Sequence, residues 1–330
     1  MHSLYTIPTV PRRRRPAPLP IRDGLNPSRV RAPQTEDAPV TALELLTAAV
    51  EGQTHRHPDD GAEAIAARFA DGLVVGPDGR PLPPDAELRP GTDIWFYRLP
   101  APERAIAGPM PIIHRDGDLV VVDKPPFLAT TPRGRHVTES AVVRLRRELG
   151  DADLIPAHRL DRLTSGVLVF VARPELRGAY QELFAEPGAV VKRYDALTRA
   201  PGPGDLPGAP FTLATRQEKI RGTLQARTIA GEANATTVVE AIELCDGTSP
   251  RTALWHLRPL TGRTHQLRLH LHDLGFPILG DPLYPDVLPD GADDPDRPMH
   301  LLCREVAFDD PVTGRRRTFR STREVNGARR

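Results

Sequence analysis

The chain has 330 residues with 44 basic and 43 acidic side chains and a formal net charge of +1, enough length for two domains and a substantial core but no global basic signature of nucleic-acid binding. Its two cysteines, Cys245 and Cys303, exclude a disulfide framework and a cysteine-based zinc cluster, and no apolar run approaches the roughly 20 residues that span a bilayer. Lysine occurs only at Lys124, Lys192 and Lys219, so nearly all the basic residues are arginine, and arginine number alone is weak evidence for an RNA partner.

Residues 1–39 hold seven arginines, four of them in the run Arg12–Arg15, against three acids, with many prolines and little periodicity. They read as a disordered basic arm that either holds phosphates or stays solvated. Pro-Ala-Pro-Leu-Pro follows the arginine run where a secretory or twin-arginine signal needs an apolar core, so a cytoplasmic location is expected. Residues 40–98 read as a small separate module. Helical patterning covers Thr41–Leu46 and Ala62–Phe69, a Gly-Pro-Asp-Gly turn at 76–79 suggests a hairpin, and a last strand ends at Tyr97. The proline-rich stretch 99–111 reads as a linker, and 112–330 as a second domain.

In that domain Leu119–Val122 reads as a short buried strand stopped by Pro125 and Pro126. His114-Arg115-Asp116 matches a kinase catalytic loop only superficially, since no glycine-rich loop precedes it and no Asp-Phe-Gly follows. Thr138–Leu149 has a capping residue, an apolar face and a terminal Gly150, and predicts a helix. Then comes Pro156-Ala-His-Arg-Leu-Asp-Arg-Leu-Thr-Ser-Gly166, polar and turn-prone, running into the apolar segment Val167–Val171. A polar loop delivered to the mouth of a buried strand is a common mount for catalytic side chains. In an extended loop Arg159 and Asp161 share one face and Leu160 takes the other. Arg159 and Arg162 then favour the ionised form of Asp161. The plain alternative is a surface loop with an internal salt bridge.

Pro174–Ala185 predicts a second helix and Val190–Leu197 a strand carrying Lys192 and Tyr194. Residues 200–222 read as a loop, and Leu224–Ile229, Thr236–Leu244 and Thr252–Leu257 as strands. Thr264 to Gly275 suits a helix, which places His265, Arg268 and His272 on one face. His256, His265, His270 and His272 raise the question of a metal. Three arginines share the segment and no carboxylate orients a histidine, so no metal is expected.

The run His158–Gly166 resembles the signature loop of the RluA-type pseudouridine synthases, with Asp161 on the family's essential aspartate. Two further stretches fit. Val190–Leu197 is similar to the segment carrying the active-site tyrosine, here Tyr194. Leu260–Asp281 is similar to the last motif, with Arg268 on its arginine. Met299–Cys303 and Phe308–Pro311 extend the likeness, which covers roughly residues 112–322. The carboxyl half of the 40–98 module resembles an S4-like RNA-binding domain, for which RNA-binding and purely structural roles both stay open.

The resemblance implies an α+β catalytic domain: a mixed, largely antiparallel sheet with flanking helices and a central catalytic cleft. It implies isomerisation of a uridine in RNA, ribosomal RNA first and tRNA second, with no cofactor, no metal and no membrane or protein partner, by a monomer. Asp161 acts as nucleophile or base, and Arg268 opposes its protonation. Tyr194 offers a flat face and a phenol able to remove a proton, while Arg159 fills the space vacated by the flipped base or holds a neighbouring phosphate. His158, Arg162, Lys192, Arg263 and His265 are expected as further RNA contacts. A non-catalytic RNA-binding protein and a carboxylate-pair glycosidic hydrolase are the alternatives; the nearest other acids are Asp151 and Asp153.

Overall fold

The computed structural model describes residues 17–34, 39–200, 208–245, 251–289 and 293–325, and the chain divides into two units, Met1–Pro102 and Glu103–Arg330. The arginine run at 12–15 lies outside the described residues.

In the first unit, strand β1 (Ser28–Arg31) pairs antiparallel with β4 (Asp93–Phe96), and β2 (Val40–Thr41) pairs with β3 (Glu87–Leu88). Ser28–Arg31, expected within a disordered arm, is therefore a paired strand. Ser-Arg-Val-Arg alternates, so Val30 packs inward while Arg29 and Arg31 both reach Asp93, at 3.4 and 2.8 Å. An arginine-rich composition hid a period-two pattern. Helix α1 (Ala42–Glu51) starts at a capping box in which Thr41 and Glu44 satisfy each other's backbone N–H. Its Leu46 and Val50 pack with Ile65 of α2 (Ala62–Ala70). The expected hairpin is reduced to single bridges from Val75 to Pro81 and Trp95, because Pro81, Pro83 and Pro84 bring no N–H to a ladder.

The second unit begins earlier than the linker reading suggests. The Glu103 carboxylate accepts from the backbone N–H of Val137 (2.9 Å) and Thr138 (2.6 Å) and from the Thr138 hydroxyl (2.8 Å), and Ile106 packs against the core. Proline richness here marks an irregular chain that is nonetheless docked. The elements are β5 (Ile112–Arg115), β6 (Leu119–Lys124), α3 (Ala141–Leu149), β7 (Ile155–Pro156), β8 (Ser165–Val171), a 3-10 turn at Pro174–Leu176, α4 (Arg177–Ala185), β9 (Val190–Arg199), β10 (Phe211–Glu218), β11 (Arg227–Ile229), β12 (Ala235–Cys245), β13 (Thr252–Pro259), α5 (Gln266–Asp273), β14 (Leu301–Asp309) and β15 (Arg316–Arg320). Helix α3 starts at Ser140 rather than Thr138 because Glu103 has already engaged Thr138.

Eleven strands form one sheet in the order β11-β10-β12-β13-β9-β14-β8-β6-β5, with β15 on β14 and β7 on β8. All its ladders are antiparallel except β14 with β8. The fold is thus α+β with a mixed, mostly antiparallel sheet. Strands β6 and β8 are buried nearly end to end, which explains their continuous apolar runs. Two expectations fail at the opposite edge. Phe211–Glu218, read as loop, is a strand whose side chains alternate along FTLATRQE, a signal masked by the Pro/Gly-rich residues before it. Conversely, Leu224 is exposed, and only Arg227–Ile229 of the expected strand pairs.

Candidate active-site cleft

The loop before β8 is pinned at several points. Ala157 N–H donates to the Val169 carbonyl (2.8 Å), and Thr164 N–H closes a turn on the Asp161 carbonyl (3.1 Å). The Thr130 hydroxyl both donates to the Leu160 carbonyl (2.8 Å) and accepts from the Leu160 N–H (3.1 Å). Leu160 and Leu163 are buried while Arg159 is exposed and Asp161 half-buried, the alternation an extended loop requires. Beneath it, the buried Lys124 ammonium donates to the carbonyls of Pro125 (3.0 Å), Leu128 (2.7 Å) and Arg162 (3.1 Å). Burial pulls its pKa down. Three carbonyl acceptors nevertheless call for three N–H groups, which only the ammonium has.

The loop leaves through Gly166, at φ +107°. An added Cβ there falls onto the Cys303 carbonyl oxygen, 2.8 Å from its carbonyl carbon. Glycine lets β8 run flush against β14 at the foot of the loop.

Asp161 faces Arg268, with Nη1 3.7 Å from Oδ2; the Asp161 side chain is 38% exposed and that of Arg268 only 3%. The guanidinium's closest partner is Asp281, fully buried, which it grips with two parallel bonds of 2.7 and 2.6 Å. Burial would lower the arginine's pKa, but Asp281 and Asp161 together raise it. Arg268 also lies over the Tyr284 ring, 5.3 Å from its centroid. Tyr284 is a hub, with His265 and His272 against the same ring at 5.9 and 5.6 Å. Arg268 and His272 of α5, with His265 just before the helix, thus gather on this one ring. Asp281 and Tyr284 were missed as site residues. Asp281 closes the last motif, and a buried carboxylate for Arg268 was the signal to look for.

Tyr194 sits on β9 between Leu257 of β13 and Cys303 of β14 and packs against the core. Burial, then Cys303 and Asp161, push its pKa well up. It stands as a neutral phenol, so a resident phenolate base is not what this site offers. Cys303 itself is buried, its thiol pushed up to about 12, chiefly by burial, and is no nucleophile.

All nine predicted site residues border one cleft of about 1300 Å³. Lys192 lies over the Phe184 ring at 5.3 Å, Arg162 pairs with Asp293 at 2.8 Å, and exposed Arg263 donates to the Asn234 carbonyl at 3.1 Å. Two expectations need correction. His158 is buried, stacked on Phe184 at 4.9 Å, and its Nε2 accepts the Val169 N–H. Burial drives its pKa well down, so it is a neutral packing residue rather than an RNA contact. His265, at φ +60° before α5, binds the Tyr284 hydroxyl through Nδ1 (3.1 Å). Burial and then Arg268 hold its pKa at about 4, so it is no cationic phosphate ligand.

Of the four histidines weighed for a metal, His265 and His272 share the Tyr284 ring while the other two lie apart. His256 meets Asp195 on β9 (2.9 Å), and His270 is buried between Thr215 and Thr237. Among the described residues no three metal-ligating side chains converge.

Residues 118–273 match the RNA pseudouridylate synthase family model. The chain is 30% identical over 211 residues to an uncharacterised RNA pseudouridine synthase of Synechocystis, covering 63% of this chain and 69% of that one. It is 33% identical over 213 residues to the dual-specificity RNA pseudouridine synthase RluA of Haemophilus influenzae, covering 63% and 90%. Against the mitochondrial tRNA pseudouridine(32) synthase of Saccharomyces cerevisiae the figures are 33% over 184 residues, 53% of this chain and 37% of the yeast protein.

Proposed function

The chain belongs to the RNA pseudouridylate synthase family, and we propose that it isomerises a uridine in structured RNA to pseudouridine with Asp161 as the essential carboxylate. The observation that carries this is a single half-exposed carboxylate on a pinned loop, facing a buried, already charge-balanced arginine and a neutral tyrosine inside the cleft of about 1300 Å³. The reaction breaks the N1–C1′ bond, turns the uracil, forms C5–C1′ and moves one proton from C5 to N1, so nothing is added or lost.

The base has to leave its stack before C1′ and C5 can be reached, at a cost of about a few kcal/mol that loops lower. Asp161 acts on C1′ or on a sugar proton. Arg268 gives it a buried guanidinium partner 3.7 Å away. Tyr194 supports the uracil with its flat face and, as a phenol, offers a hydrogen bond. Arg159, exposed beside Asp161, fills the gap left in the RNA. Ribosomal RNA is the first substrate class and tRNA the second; the name of the yeast relative supports the second. The first unit contributes affinity rather than chemistry.

A hydrolase with paired carboxylates fits the cleft less well. Asp281 has no exposed surface and is committed to Arg268, while Asp153 is a surface partner of Arg177. Product analysis on cellular RNA separates the cases: pseudouridine, free base or unchanged uridine. Asp161→Asn should abolish conversion while RNA binding persists, because the amide is neither nucleophile nor base. Conversion near the wild-type rate would refute the assignment.

A further inference from the structure

At the mouth of the cleft a tight turn, closed by mutual backbone bonds between Arg133 and His136 of 2.7 and 3.0 Å, carries Arg135 and His136 toward Arg162. Three nitrogen-rich side chains are thereby gathered in one place. Burial and then the nearby Arg162 and Arg135 guanidiniums depress the His136 pKa, the signature of crowded positive charge. Asp293 meets both arginines. Asp293 Oδ1 lies 2.8 Å from Arg162 and its Oδ2 lies 3.7 Å from Arg135, so each oxygen faces a different guanidinium.

A phosphodiester likewise presents two non-bridging oxygens sharing one negative charge, and two guanidiniums converging on such a pair is a recurrent mode of phosphate recognition. Arg162 directly follows Asp161, so a phosphate held there flanks the reacting nucleotide. The side chains of Asp293, Arg162 and Arg135 are 25%, 24% and 37% exposed, open enough for one anion to replace another.

We propose that Arg135 and Arg162, with His136 beside them, form a phosphodiester subsite at the cleft mouth, and that the Asp293 carboxylate occupies it until RNA displaces it. This rests on the reading of the cleft as an RNA site. The carboxylate neutralises the two arginines in free protein and competes with any anion arriving there. A purely structural Asp293, needed to hold Arg162 in place, demands the opposite result when it is removed.

The test measures affinity for a short uridine-rich single-stranded RNA over a range of salt, with full-length proteins that all carry Asp161→Asn so that nothing is converted. Asp293→Asn should bind about two- to five-fold tighter, the value of freeing an exposed ion pair. It should also steepen the slope of log affinity against log salt by about 0.7, one extra phosphate contact on a single strand. Asp293→Ala should behave alike, and adding Arg135→Gln should remove the gain. Asp294→Asn makes the same charge change one residue away and should gain less. Unchanged or weaker binding by both Asp293 variants, with melting curves like the parent's, overturns the proposal, as does an equal gain in Asp294→Asn. If the parent binds no RNA at all, the reading of the cleft falls first and the subsite with it.

Discussion

Asp281→Asn tests how Arg268 is held. The change is nearly isosteric and removes the charge opposite a guanidinium that is itself 3% exposed. Breaking one side of a buried ion pair costs about 3–5 kcal/mol, mostly because the other charge stays buried. The amide oxygen can still accept one of the two arginine bonds, and Asp161 lies 3.7 Å away as a fallback partner, so the lower end, about 3 kcal/mol, applies. For a domain of this size each kcal/mol shifts the melting point by about 2–4 °C, giving about 6–12 °C. Chemistry should suffer as well, because the arginine relaxes toward Asp161 and engages the carboxylate that must react. A displacement of about 1 Å costs on the order of a hundred-fold in rate. Melting by circular dichroism and single-turnover conversion at saturating RNA read the two effects. Replacing both partners, Arg268→Met with Asp281→Leu, should recover much of the stability and none of the rate. A single variant that melts within about 2 °C of wild type and turns over at its rate would refute the reasoning.

Gly166→Ala places a methyl on the Cys303 carbonyl at a backbone angle of +107°, so it should cost more than about 1 kcal/mol and displace the Asp161 loop; retained melting point and rate would show that β14 yields. Deletion of residues 1–98 keeps Glu103 and its contacts, and should leave isomerisation intact while RNA binding weakens. Its salt slope should fall by about 0.7–0.9 per lost phosphate contact, and coincident slopes would show that the first unit touches none. His270, buried with a pKa held at about 4, mainly by burial, binds its proton more readily when unfolded, where the ordinary value is about 6.5. Its contribution, up to about 3 kcal/mol, is therefore complete above pH 6.5 and is lost as pH falls toward 4. His270→Gln should flatten stability against pH in that window, and an unchanged curve would assign the acid sensitivity elsewhere.

The signature loop was legible because its chemistry is contiguous: its nine residues adjoin in sequence, burial alternates over His158–Asp161, and a buried strand follows without interruption. Arg268 was singled out by the resemblance of its segment to the last motif, and helical spacing put it on one face with His272. Its partner was not, because Asp281 lies beyond the end of α5 and reaches the arginine only once the chain has folded back. His158 misled for a related reason. Its neighbours in sequence are charged, but its ring stacks on Phe184 of α4, which sequence cannot juxtapose. The Tyr194 phenol was judged by its intrinsic chemistry, whereas a strand sandwiched between β13 and β14 sets its protonation. At both ends composition overrode pattern: arginines hid β1 and the Pro/Gly-rich stretch hid β10.

Lys124 has a consequence for the medium in which the protein works. Three carbonyl oxygens converging on a point charge are the shell that a potassium or sodium ion would otherwise fill, and here the charge is tethered to β6 by its own four-carbon stem. A captured ion exchanges with its surroundings, so a loop shaped around one changes with the kind and amount of salt. This loop carries its cation as part of the chain. Exchanging potassium for sodium can then alter the reaction only through the fold of the RNA and the occupancy of its phosphates, and leaves the seat of Asp161 as it was.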